Sequence, residues 1–121
     1  MDAEFRKELI AAGVDIDGTM DRFMNNEALF EKFIFKFLDD DNYEKMMVAK
    51  GNNQVEEAFN AAHTLKGVTG NLGINCIYKV SIPLVEILRK STFEGSEIYF
   101  EQMETSYQNI ISVLNKYKKQ D

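Results

Sequence analysis

One proline, Pro83, and seven glycines are the strong helix breakers in this chain of 121 residues. Most of the glycines stand where a helical run would stop, and long stretches between them carry no turn signal. That scarcity favours helices over a many-stranded fold, which needs tight turns at short intervals. No repeat, low-complexity tract or linker divides the chain, so it reads as a single domain over residues 1–121.

Apolar residues recur at helical spacing through most of its length. A first helix is expected from Ala3 to Ala12, with Phe5, Leu9 and Ile10 on one side and Gly13 as its stop. Asp15 to Gly18 reads as a turn, and Asp17 or Thr19 is placed to cap a short helix through Met24. Leu29, Phe30, Phe33, Phe37 and Leu38 define a helix from Asn26 to Asp39. The run Asp39–Asn42 bends or restarts it before a segment from Tyr43 to Lys50, which Gly51, Asn52 and Asn53 end. Longer helices are expected over Gln54–Asn71, Ile74–Lys90 and Ser96–Lys118. Ser96 is a candidate cap for the last, although Tyr99 in place of an acid or amide leaves the capping box incomplete. Pro83 falls inside the second of these three, where the missing N–H predicts a kink or a broken turn. Long helices joined by short connections pack as an antiparallel bundle, so the fold class is all-α.

Composition narrows the function. The formal net charge is −6, which opposes nucleic-acid binding, since that needs a basic stripe against phosphates. The one basic cluster, Lys116, Lys118 and Lys119, stands where it opposes the negative end of a C-terminal helix dipole. Cys76 is the only cysteine, so no intrachain disulfide or multi-cysteine zinc site forms, and it reads as a small buried hydrophobe. No apolar run reaches the length of a membrane span, and the charged stretch Met1–Lys7 is unlike a secretory leader. The expected location is the cytoplasm.

The chemistry concentrates on the helix Gln54–Asn71. On a helical wheel Ala58, Ala62, Leu65, Thr69 and Leu72 gather on one side, flanked by Ala61 and Val68, and form the buried stripe. The only histidine, His63, falls opposite that stripe among Glu56, Phe59, Asn60, Lys66, Gly67 and Gly70. Two glycines on an exposed helix face are costly, about 1 kcal/mol each relative to alanine. They remove side chains beside the imidazole and leave space for something bulky to reach it. Lys66, three positions along, can screen an anion held on the ring. A bare imidazole nucleophile, a cation beside it and open space suit transient phosphoryl transfer. Phe59, one turn before His63, has two readings: it covers the bundle edge against the helix Asn26–Asp39, or it joins an apolar docking patch around His63.

The run Ala62-His63-Thr64-Leu65-Lys66-Gly67-Val68-Thr69-Gly70-Asn71-Leu72-Gly73 resembles the signature of histidine-containing phosphotransfer (HPt) domains, a His-x-Leu-Lys-Gly core followed by Leu-Gly. The resemblance extends over nearly the whole chain. It implies a four-helix bundle with an additional short N-terminal helix. It implies that His63 accepts a phosphoryl group from a receiver-domain aspartate and passes it to another, that Lys66 interacts with the phosphoryl group, and that Gly67 clears the approach. The implied partners are receiver domains of response regulators and hybrid histidine kinases, which supply the aspartate and the Mg²⁺; no cofactor of the chain's own is implied. Pro83 departs from the family, which usually keeps that helix continuous.

Four other readings are weaker. A receiver domain, suggested by the triple Asp39–Asp41, is α/β, and the chain lacks the alternating β-branched strands. A metal-dependent hydrolase in a helical bundle needs repeated Glu-x-x-His pairs, which the chain lacks. No Gly-rich nucleotide loop is present, so the chain reads as a phosphocarrier and not as a kinase. A bundle that binds receivers without turning over phosphate is the runner-up, and intact His63 and Lys66 weigh against it.

Overall fold

The computed structural model describes residues 1–119. Among these residues the regular elements are helical: α1 (Ala3–Ala12), α2 (Ile16–Thr19), α3 (Glu27–Lys36), α4 (Asn42–Gly51), α5 (Val55–Leu72), α6 (Asn75–Arg89) and α7 (Glu97–Tyr117). Single 3₁₀ turns at Met20–Phe23 and Phe37–Asp39 join some of them. Among the described residues no helix is long and apolar enough to cross a membrane.

α4, α5, α6 and α7 form an antiparallel four-helix bundle: long helices with short connections predict the antiparallel packing, and the family resemblance implies four helices. α5 lies between α4 and α6, α6 packs on α7, and α1 packs on α7 from outside. Small residues make α5 a close-packing element. Ala58, Ala61 and Ala62 are buried, so the helices on either side approach its backbone. Leu65, Thr69 and Leu72 continue the stripe, with Val68 half-buried at its edge. Thr69 tolerates burial because its hydroxyl donates to Leu65 O at 2.9 Å. Stacking of Tyr43 on Tyr107, with ring centroids 3.8 Å apart, brings α4 to α7 and closes the bundle.

The N-terminal part is larger than a single extra helix. α1 is capped by Asp2, whose carboxylate accepts from Glu4 N and Phe5 N, and it ends at Gly13 with φ +108°. There the chain meets the α5–α6 corner, where Gly73 ends α5 with φ +71°. Cys76 N donates to Gly13 O and Asp15 N donates to Gly73 O, at 3.1 and 2.8 Å. A Cβ on Gly13 would stand 2.6 Å from that of Cys76, and one on Gly73 would stand 2.8 Å from Asp15 O. Both glycines are therefore required twice, for the left-handed backbone and for the close approach.

Several local expectations are corrected. Asp15, and not Asp17 or Thr19, caps α2 by accepting from Gly18 N. Asp17 pairs with Arg6 instead, and Thr19 donates to Asp15 O. Ser96 occupies the cap position of α7, but its hydroxyl turns back to Phe93 O. α6 runs unbroken through Pro83. The lost bond frees the carbonyl of Lys79, an exposed residue. Ile10, Phe33 and Ile98 sit at helix-spaced apolar positions yet are exposed. Lys116 reaches across to Glu8 on α1, a tertiary contact beyond any dipole effect. Cys76 is half-buried, and burial pushes its thiol pKa up, away from nucleophilic use.

Candidate functional site

The buried stripe of α5 fixes where the opposite face points. His63 is exposed there, from the middle of an 18-residue helix held on two sides. Helical side chains lean toward the N-terminus, so the imidazole tilts back over the preceding turn. It stacks beside Phe59 in an offset arrangement, with centroids 5.7 Å apart and planes inclined by 19°. The side-chain bonds nearby go elsewhere: Thr64 Oγ1 donates to Asn60 O, and Thr69 Oγ1 to Leu65 O. Among the described residues none hydrogen-bonds to the imidazole, so its ring nitrogens are free for an incoming group.

The same lean explains Gly67. A side chain at that position would fold over His63, one turn toward the N-terminus. A Cβ built on Gly67 meets nothing within 4 Å. No neighbour in the bundle uses the space, so the glycine leaves the imidazole uncovered to solvent. Gly70 is different. A Cβ there would lie 3.0 Å from the ring of Tyr78 on α6. That gap is already filled from within, and Gly70 serves helix packing where the sequence predicts clearance.

A cleft of about 580 Å³ runs along this face, lined by His63, Lys66, Gly67, Arg22, Asn71 and Tyr78 among others. Lys66 is half-buried at its side. Arg22, from the 3₁₀ turn after α2, lies across the far end and donates from Nη1 to Gly70 O at 3.1 Å. Among the described residues it pairs with no carboxylate. An acidic chain thus presents two cations, Lys66 and Arg22, in a cleft that holds its only imidazole and that Asp15 also lines. Compared with family models, curated proteins and solved structures, the chain matches none. Local geometry therefore carries the functional reading.

Of the residues expected at the site, His63, Lys66, Gly67 and Gly70 line the cleft together. Asn60 is exposed but borders a separate groove between α4 and α5 with Thr64 and Asp41. Phe59 is half-buried against the core and stacks on His63. Its other aromatic-type partner is Arg89 of α6, whose guanidinium lies 5.1 Å from the ring centroid. This contact with α6 is one that neither sequence reading of Phe59 included. Arg22, Tyr78 and Arg89 are additions that sequence reasoning missed. An antiparallel hairpin about Gly73 could have found the last two: Gly70 and Tyr78 flank the corner, and Phe59 and Arg89 lie 14 residues before it and 16 after.

Proposed function

We propose that this chain is an HPt-type phosphocarrier of a two-component phosphorelay, taking a phosphoryl group on His63 from a receiver-domain aspartate and passing it to another receiver. The observation that supports this most is the uncovered imidazole: His63 is exposed with no hydrogen-bond partner among the described residues, Gly67 leaves the space above it empty, and Lys66 lines the same cleft.

In the proposed reaction the lone pair of an unprotonated ring nitrogen forms the N–P bond. The bond from phosphorus to the aspartyl oxygen breaks, and its electron pair stays on the carboxylate. Little covalent assistance is needed, so the protein's part is positioning and charge. Lys66 offsets the charge of the phosphoryl oxygens once they sit on the ring. Open space at Gly67 lets the donor approach along the line of the breaking bond. The reverse step returns the group to a second aspartate by the same path. Mg²⁺ comes with the receiver, which also brings the acidic pocket that holds it.

Turnover separates a carrier from a bundle that only binds receivers. The chain is labelled from a phosphorylated receiver, purified, and mixed with a second, unphosphorylated receiver and Mg²⁺. A carrier loses its label to the second receiver; a binding module takes none to lose. Stable receiver binding without label in either direction would overturn the proposal.

A further inference from the structure

We propose that Phe59 and Arg89 are positioning residues that set the plane of the His63 imidazole, and so aim its attacking nitrogen; this rests on His63 being the phosphoryl acceptor. The lone pair of an imidazole nitrogen lies in the ring plane. Turning the ring about its Cβ–Cγ bond sweeps that lone pair around, and this torsion is broad for histidine. In-line transfer accepts a narrow range of directions, and a misplacement of about 1 Å can cost about a hundredfold in rate. An exposed histidine with no hydrogen bond therefore needs another means of holding its plane.

Among the described residues, the aromatic ring that stacks on His63 is that of Phe59, at 5.7 Å and 19°. That lies within the range of offset-stacked rings. Phe59 is itself anchored, half-buried against the core. Arg89 holds the same ring from α6 at 5.1 Å, and its Nε is 3.5 Å from Glu86 Oε1, one turn back. The platform thus spans two helices. It takes a face of the imidazole and leaves the ring edge free, beside the space that Gly67 keeps open. In the step itself the nitrogen lone pair forms the N–P bond while the bond from phosphorus to the donor's leaving atom breaks, the electron pair going to that atom. Phe59 and Arg89 touch none of these atoms; they act through the orientation of His63.

A small donor, phosphoramidate, separates aiming from docking, because it needs no receiver surface; ammonia leaves after taking up a proton from solvent. Two readouts are taken on each variant: the rate of acid-labile labelling, and the chemical shifts of the His63 ring protons, which the ring current of Phe59 displaces. Phe59→Leu keeps an apolar side chain and removes the aromatic face. The His63 protons should move to the values of a free imidazole, and labelling should slow by about tenfold or more. Phe59→Tyr should restore both. Arg89→Gln, at an exposed position that leaves the fold intact, should slow labelling about two- to fivefold with a partial shift of the same protons, and it keeps the test valid where Phe59→Leu fails to fold. Labelling of either folded variant at the wild-type rate, or unchanged His63 shifts in Phe59→Leu, would overturn the platform alone. A wild-type chain that shows the displaced ring protons yet takes no label from phosphoramidate or a phosphorylated receiver would overturn the acceptor reading, and the kinetic role of the platform with it.

Discussion

Replacing Gly67 tests whether that glycine serves the fold or a visitor. In a helix interior Gly→Ala gains about 1 kcal/mol. At Gly67 the new Cβ meets nothing within 4 Å, so no packing cost offsets the gain. Gly67→Ala should be more stable by about 1 kcal/mol, a rise in Tm of about 3–6 °C for a chain of this size. Gly70→Ala is the internal control on the same helix. Its Cβ would stand 3.0 Å from Cδ1 and Cε1 of Tyr78. Displacing a packed ring costs about 1–3 kcal/mol, which cancels or reverses the same helix gain. Gly67→Gln completes the series. It keeps most of the helical gain, since Gln is a good helix former, but its side chain leans over His63. Urea unfolding gives the stabilities, and labelling from a phosphorylated receiver gives the transfer rates. Gly67→Gln should match or exceed the wild-type midpoint and lose at least about tenfold in transfer, the scale of about 1.4 kcal/mol in the barrier. A destabilised Gly67→Ala would show that the bundle needs the glycine. Normal transfer by Gly67→Gln would show that its open space is not the approach.

Lys66→Ala should slow transfer or shorten the lifetime of the phosphorylated chain, with little change in unfolding midpoint; unchanged kinetics in both directions would remove Lys66 from the mechanism. Tyr117→Phe should raise the Glu8 titration midpoint, read by NMR, because the hydrogen bond from Tyr117 is the largest cause of its lowered pKa, ahead of Lys116; an unmoved midpoint would refute that contact. The sign of the linkage follows: the Glu8 contribution to stability is present above the ordinary value of 4.5 and is lost as pH falls through the lower folded-state value. That of Tyr117, pushed up from 10.0 to about 12 chiefly by its bond to Glu8, is intact below 10.0 and is lost as pH rises through about 12. Pro83→Ala should stabilise the chain by up to about 3 kcal/mol, since α6 is already helical on both sides of it; an unchanged Tm would mean that the ring packs as well as the regained bond.

The bundle and the exposure of His63 were legible in the sequence because α5 is long and its buried stripe is made of small residues at regular spacing. Eighteen residues give five turns in which errors of phase average out. Single residues were less legible. Asp15, Asp17 and Thr19 all have cap chemistry within five positions, and only the tertiary pairing of Asp17 with Arg6 decides between them. Periodicity registers residue type and not neighbours, so it enrolled Phe33, whose ring lies outside under the Lys36 ammonium. Gly67 and Gly70 look alike on a wheel, yet the facing helix fills one gap and leaves the other. Arg22 was beyond reach, since a 3₁₀ turn carries no pattern that places it 48 residues away on Gly70.

The claim that His63 carries the phosphoryl group is tested most directly by labelling the wild-type chain and His63→Gln from the same phosphorylated receiver. Because His63 is exposed and makes no hydrogen bond among the described residues, the variant should stay folded and lose at most about 1.5 kcal/mol with its stack on Phe59. The account predicts an acid-labile, base-stable label on the wild type and none on the folded variant. Equal labelling of the two, or no label on the wild type from any receiver that binds it, would contradict it.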